Sequence, residues 1–254
     1  MIKEVFERKK PLICYFMAGY PSVEESIKTA EILLENGADI LEVGFPFSDP
    51  VADGITIQAA HEKAVKDGIT PLKVFEITKT IKDKFPTKPL IAMTYYNPIF
   101  KFGEENFCKM AKENGIDGLI VPDLPPEEGK GLKKVANQHE ISLISLLAPT
   151  SHERRIKVVS QMSDDFIYYV SITGITGERE SLPWQELESK IKNIREMTNK
   201  KIAVGFGVSK GEHAKVISHF ADGVIVGSAI VKLQGKKDFE NLKLLVRDLH
   251  DSIG

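Results

Sequence analysis

The chemistry of this sequence begins with an acid placed where apolar residues belong. Residues 40–44 read Ile-Leu-Glu-Val-Gly, the pattern of a buried strand with Glu42 at its centre. Asp49 and Asp53 follow within a loop punctuated by Pro46, Pro50 and Gly54. A carboxylate in apolar surroundings must be hydrogen-bonded, paired with a cation or held neutral. Holding it neutral raises its pKa toward physiological pH, which equips it for general acid/base catalysis. A lone strand glutamate is more often structural, satisfied by a backbone N–H or a nearby cation. Further acids a few residues on shift the reading toward a catalytic pair, Glu42 and Asp53. Asp49, farther out, suits either a helix cap or a surface facing a partner. Gly44 and Gly54 suit either close backbone approach or simple turns.

A second constellation lies near the end of the chain. Gly205-Phe206-Gly207 closes one apolar run, and Gly227-Ser228 closes the next about twenty residues later. Glycines expose backbone N–H groups, and a short helix starting at Ser228 would direct its positive end at an anion, so the pair reads as a phosphate cradle. The Gly174–Gly177 stretch offers a third contributor. It belongs to the segment 173–182, whose glycines and charges suit a lid that closes over substrate. Phe16, Met93, Tyr95, Tyr168 and Val170 read as strand residues able to wall an apolar pocket or simply to pack. Tyr168 and Tyr169 are adjacent, so only one faces a given side of the sheet. Asp123, in Val-Pro-Asp-Leu-Pro, reads as a supporting residue. Lys201 begins its strand at the face away from these groups, which disfavours Schiff-base chemistry.

The elements that must position these residues recur eight times. Apolar runs at 12–19, 40–46, 89–96, 118–124, 141–149, 166–172, 201–207 and 223–230 have the near-continuous apolar character of parallel strands covered by helices. Amphipathic helical patterns fall between them, at 22–36, 71–85, 103–114, 126–139, 151–162, 183–198, 209–219 and 238–250. Ser22 is an expected N-cap with Glu24 and Glu25 in the first turn. Asn-Gly-Ala-Asp at 36–39, Asn-Gly-Ile-Asp at 114–117 and Phe-Ala-Asp-Gly at 220–223 mark turns from helix to strand. The expectation is a single (β/α)8 TIM barrel over residues 1–254, with an extra N-terminal helix at 2–9 closing the bottom face; a doubly wound sheet is the runner-up. In such a barrel, catalytic groups belong at the C-terminal ends of the strands.

The formal net charge of −2, without a basic stripe, gives nucleic-acid binding no electrostatic support. The charged start and the brief apolar run after it, ended by Gly19-Tyr20-Pro21, do not read as a signal peptide, and no stretch has the length of a membrane span. Cys14 and Cys108 form no CxxC pattern, and the six histidines show no metal-ligand spacing. These features predict a reduced, cytoplasmic, metal-free enzyme acting on a small phosphorylated substrate.

The segment 41–54, Leu-Glu-Val-Gly-Phe-Pro-Phe-Ser-Asp-Pro-Val-Ala-Asp-Gly, resembles the characteristic segment of the tryptophan synthase alpha subunit family. The resemblance extends in order through 16–21, 93–99, 121–125, 171–177, 204–209 and 226–231, so it spans nearly the whole chain. It implies cleavage of indole-3-glycerol phosphate to indole and glyceraldehyde 3-phosphate, a retro-aldol reaction. Glu42 and Asp53 match the family's catalytic carboxylates, and Tyr168 matches its pocket tyrosine. Gly177, Gly205, Phe206, Gly207, Gly227 and Ser228 match its phosphate-binding positions. Thr176 matches the lid threonine that holds the catalytic aspartate, and Phe16, Met93, Tyr95 and Val170 fall at indole-pocket positions. Ile172 stands where some members carry an arginine, which removes one polar tie of the closed lid.

The resemblance also implies a beta subunit, an alpha2beta2 assembly, and passage of indole to that partner for joining to serine. Pyridoxal phosphate would belong to the partner, with no cofactor in this chain. Asp49-Pro50, Asn97-Pro98 and the 173–182 segment are the expected contact and signalling elements. A stand-alone indole-3-glycerol phosphate lyase and a non-catalytic activator of the beta subunit are the competing expectations. Other phosphate-binding barrels would not be expected to reproduce 41–54.

Overall fold

The computed structural model describes residues 1–170, 184–205 and 207–253. Eight parallel strands close into a barrel in chain order. They are β1 (Leu12–Met17), β2 (Ile40–Gly44), β3 (Leu90–Met93), β4 (Gly118–Ile120), β5 (Ser142–Leu147), β6 (Phe166–Val170), β7 (Lys201–Gly205) and β8 (Gly223–Val226). Among the described residues the helices are α1 (Ile2–Arg8), α2 (Val23–Glu35), α3 (Ile55–Lys66), α4 (Pro71–Lys84), α5 (Tyr96–Phe102) and α6 (Glu104–Glu113). They continue with α7 (Lys130–Gln138), α8 (Glu153–Met162), α9 (Trp184–Arg195), α10 (Gly211–Phe220), α11 (Ser228–Lys236) and α12 (Phe239–Ile253). This is the expected (β/α)8 barrel. No described helix is long and apolar enough to cross a membrane.

Side chains alternate along each strand, and the alternation separates two cores. Leu12, Cys14 and Phe16 of β1, with Leu41 and Val43 of β2, pack outward against helices. Ile13 and Ile40 point inward and meet Ile91, Ile120, Ile144, Phe166 and Ile225 in the barrel interior. The N-terminal α1 plugs the bottom of that interior through Ile2 and Phe6, the Phe6 and Phe166 rings lying 4.9 Å apart.

The Asp turns do more than reverse the chain. The Asp39 N–H donates to the Leu12 carbonyl at 2.9 Å, and the Leu12 N–H donates back to Asp39 Oδ2 at 3.1 Å. The same reciprocal pair joins Asp117 to Leu90 (2.8 and 3.0 Å), Asp164 to Leu143 (2.8 Å both ways) and Asp222 to Ile202 (2.8 and 2.9 Å). Each aspartate lies one or two residues before an even-numbered strand and grips the first or second residue of the odd-numbered strand before it. Each also meets a cation: Lys9, Lys82, Lys133 and Arg195 respectively. Four clamps of one design thus fix the four β1β2, β3β4, β5β6 and β7β8 units at the bottom face.

Regular strands end earlier than the apolar runs suggest. Phe45, Tyr95 and Val121 are buried yet lie beyond the strand ends, because the chain turns there to pack under its own loops. Phe45 joins an aromatic cluster with Phe75 and Phe107 at 5.4 and 5.8 Å. The expected helix from 126 begins instead at Lys130, since Glu128 and Gly129 both donate to the Pro125 carbonyl in a turn. The short helix α5 falls within a stretch whose first residues read as strand; the chain leaves the sheet after Met93, and Tyr95 becomes its N-cap. Its first N–H, from Tyr96, donates to Asp123 Oδ1 at 2.9 Å, which gives Asp123 its supporting role.

Removal of one clamp leaves a strand N–H without an acceptor and a cation without its partner. Asp39→Ala is expected to lower unfolding free energy by roughly 2–3 kcal/mol. Urea titration of the variant beside wild type measures this.

Candidate active site

Alternation along β2 places Glu42 on the inner face between Ile40 and Gly44, and its residue is 1% exposed. Neither carboxyl oxygen has a hydrogen-bond partner among the described residues. Burial, and then the negative charge of Asp53, push the Glu42 pKa up to about 8. At neutral pH this side chain is therefore a carboxylic acid holding a proton with no acceptor for it among the described residues.

Asp53 has the opposite environment. The Tyr95 hydroxyl donates to Asp53 Oδ2 at 2.6 Å, and His61 Nε2 lies 3.2 Å from the same oxygen. The Ala52 N–H donates to the Tyr95 hydroxyl at 3.0 Å, and the Phe47 N–H donates to His61 Nδ1 at 3.0 Å. The Phe47 ring stacks on Tyr95 with centroids 5.0 Å apart. Thus the Phe-Pro-Phe segment has two jobs: Phe45 anchors the loop in the outer aromatic cluster, and Phe47 organises the partners of Asp53. Desolvation, and next the charge of Asp53, move the Tyr95 hydroxyl far above its usual range, so it remains a donor.

Two further tyrosines face the interior. Gly44 is required by Tyr15: a Cβ at residue 44 would fall 2.1 Å from the Tyr15 hydroxyl oxygen. A Cβ at Gly205 would lie 2.8 Å from the Tyr168 hydroxyl oxygen. Burial and the charges of both Glu42 and Asp53 raise the pKa of Tyr15 and of Tyr168, which places both hydroxyls in the field of the two acids.

Phe16 requires a correction. It was expected in the pocket, but it is fully buried on the outer face of β1, packed with Leu12 and Cys14 against the helices. The one-residue alternation gives the inward position to Tyr15. Met93 and Val170 lie at the C-terminal ends of β3 and β6; Met93 packs with the interior residues, and Val170 pairs with Gly205. Tyr95 is a hydrogen-bonding residue of the loop rather than a strand wall. Asp49 is exposed and does not cap α3, whose N-cap is Gly54.

Gly205 ends β7, Gly207 follows with φ +55°, and Gly227 is the N-cap of α11, which begins at Ser228. Strands β7 and β8 pair in parallel register, so these glycines emerge at neighbouring points of one face. The first turn of α11 carries no acidic residue, leaving its N-terminal N–H groups to an anion. Phe206, Ile172, Thr176, Gly177 and the rest of the 173–182 segment lie outside the described residues.

Sequence reasoning did not single out Tyr15 or His61. Tyr15 was detectable as the in-phase neighbour of Ile13 once the strand start was known. His61 carries no local signal, since its partners stand 8 and 14 residues away in the chain.

A parallel barrel with a protonated acid and a donor-held carboxylate at the catalytic end of its strands defines a (β/α)8-barrel enzyme equipped for acid/base cleavage. The family model described as tryptophan synthase alpha chain matches residues 2–251. The tryptophan synthase alpha chain of Aquifex aeolicus is 52% identical over 247 residues, covering 97% of this chain and 94% of that one. A chain of Mycobacterium tuberculosis tryptophan synthase superposes with a TM-score of 0.92 at 32% identity, over 99% of this chain and 97% of that one. A chain of the tryptophan synthase complex from Pyrococcus furiosus superposes with a TM-score of 0.85 at 37% identity, over 94% and 97%. This chain belongs to the tryptophan synthase alpha chain family. It is a lyase of tryptophan biosynthesis that cleaves indole-3-glycerol phosphate.

The buried acid carries a stability cost with a defined sign. The unfolded chain releases the Glu42 proton above about 4.5, whereas the folded chain keeps it to about 8. Folding therefore retains a proton in that window, and stability falls as pH rises through it. Glu42→Gln removes the penalty, so its Tm advantage over wild type is absent near pH 4, grows with pH and levels off above about 8. The plateau is expected at roughly 5 °C or more. Calorimetry of both proteins across pH 4–9 checks this.

Proposed function

We propose that residues 1–254 work as one catalytic barrel domain in which Glu42 and Asp53 divide the cleavage between them. The observation that carries this reading is the contrast between them: a buried, unpartnered Glu42 carboxyl beside an Asp53 whose Oδ2 is held by Tyr95 and His61. Indole is a poor leaving group until its carbon 3 is protonated. Glu42, protonated at neutral pH, gives its proton to carbon 3, forming an indoleninium-like intermediate. Asp53 accepts the ring N–H as positive charge develops there, an interaction stronger in the transition state than before it. Glu42, now a carboxylate, takes the proton of the hydroxyl on the adjoining glycerol carbon. The carbon–carbon bond then breaks, its electron pair restoring the indole ring while the carbonyl of glyceraldehyde 3-phosphate forms. Glu42 ends as it began, and no water is consumed.

The glycine-bordered face of β7 and β8 would hold the phosphate, with N–H groups of Gly207, Gly227 and Ser228 and the start of α11 as donors. Phe206 and Gly177 would complete the cradle, and Thr176 the lid contact to Asp53. Tyr15, Met93, Tyr168 and Val170 would line the indole. None of these roles calls on a cofactor in this chain; pyridoxal phosphate would belong to the beta partner. The expected location is the cytoplasm.

The beta subunit would dock over the mouth. Val51, Ile55 and Phe100 are 80, 81 and 68% exposed on the segments following β2 and β3, beside exposed Asp49 and Asn97. Large apolar side chains left in water around a catalytic mouth suit a covering partner. Because loop β2 carries both Val51 and Asp53, docking there would bear directly on the catalytic carboxylate and couple the two subunits.

Indole release from indole-3-glycerol phosphate, with and without beta subunit, tests the reading. Wild type is expected to turn over slowly alone and faster with beta, and Glu42→Gln to lose about 10³-fold or more in kcat in both states. Because the protonated acid is the active form, kcat/KM is expected to fall tenfold per pH unit above about 8, along the Glu42 titration. Full speed without beta would favour a stand-alone lyase. Activation of beta by a protein that releases no indole would leave a non-catalytic activator.

A further inference from the structure

His61 stands on α3 with its side chain 3% exposed, its ring edge-on to Tyr95 at 6.1 Å. Its protonation pattern follows from its neighbours. The Phe47 N–H points at Nδ1 from 3.0 Å, so that nitrogen presents a lone pair and the ring proton resides on Nε2. Nε2, on the protonated side of the ring, then faces Asp53 Oδ2 in a close polar contact of 3.2 Å. Tyr95 donates to the same oxygen, and no described residue donates to Oδ1. The Tyr95 donor and the His61 ring therefore both meet one oxygen of Asp53 and, among the described residues, leave the other for substrate.

We propose that His61 is a positioning residue for the cleavage: a neutral imidazole, locked as the Nε2–H tautomer by Phe47, that fixes the Asp53 rotamer and presents Oδ1 to the indole N–H. Neutrality is part of the design. An imidazolium in this place would lose its bond from Phe47 and would offset the negative charge with which Asp53 stabilises the developing indoleninium. A neutral donor orients the carboxylate without cancelling that charge. The inference rests on the role given to Asp53 above.

Two amide substitutions separate the two ring nitrogens. Gln carries a donor near the place of Nε2, whereas Asn offers an acceptor near Nδ1 and cannot reach Asp53. Full-length His61→Gln, His61→Asn, Asp53→Asn and wild type are to be assayed for indole release with saturating beta subunit, with thermal melts run alongside. His61→Asn is expected to lose about tenfold or more in kcat with KM within about threefold, and His61→Gln to recover most of that loss. Equal kcat for the Asn and Gln variants, or a loss carried by KM alone, overturns the positioning role. Should both variants melt early, a Gln variant that still outpaces Asn in kcat per folded molecule sustains it, and parity overturns it. Full activity in Asp53→Asn, or no indole from wild type, overturns the parent assignment and this inference together; an inactive Asp53→Asn with indistinguishable His61 variants overturns this inference alone.

Discussion

The reciprocal bonds between four aspartates and the starts of four strands are the constraint on which the rest of this barrel depends. A backbone N–H and carbonyl at the start of an odd-numbered strand are both engaged by one aspartate, so the paired strand cannot slip without breaking both bonds. Register matters because side chains alternate with a period of two residues, and a slip of one would exchange the inner and outer faces. Fixed at the bottom, the register carries upward to the mouth. It is the reason Glu42 points into the barrel while Leu41 and Val43 point at helices. The bottom face supplies stability and the top face supplies chemistry, yet the orientation of the second is inherited from the first.

Given that orientation, the two acids differ through what surrounds them. Glu42 lies buried within the barrel wall with no hydrogen-bond partner among the described residues, and burial together with the charge of Asp53 makes it keep its proton to about pH 8. Asp53 lies on a loop that brings the Tyr95 hydroxyl donor and the His61 ring to one of its oxygens. The same side-chain chemistry thus meets two contrasting environments within one site, and the charge of Asp53 adds to burial in keeping Glu42 protonated. Tyrosine hydroxyls over Gly44 and Gly205 fill the space between strands where any larger residue would collide.

The loop after β2 joins these roles to the surface. Phe45 fastens its start to the helical layer, Phe47 organises Tyr95 and His61, and Val51 and Ile55 stand in solvent. A short stretch of chain therefore touches the core, Asp53 and an exposed apolar face. Any influence passing between this exposed face and Asp53 would need only covalent continuity rather than a long path of contacts.

Much of this was determined by the sequence alone. Eight apolar runs separated by amphipathic patterns specify parallel strands covered by helices, because strands buried on both faces need continuous apolar residues. Closure into a barrel is shown by the pairing of β1 with β8. An acid within such a run marks itself, since burial makes it costly unless it is neutral or paired. The Asp turns were legible as punctuation, but their grip on preceding strands was not, because those partners lie 20 to 27 residues away in the chain. Only tertiary structure decided which of Phe16 and Tyr15 faces the barrel interior. Both are aromatic and adjacent, and the choice depends on strand register set at the far end of the barrel. The same holds for His61, an unremarkable helical residue in the sequence. Its place beside Asp53 exists only because the turn at 45–54 folds Phe47 and Asp53 onto opposite nitrogens of one ring.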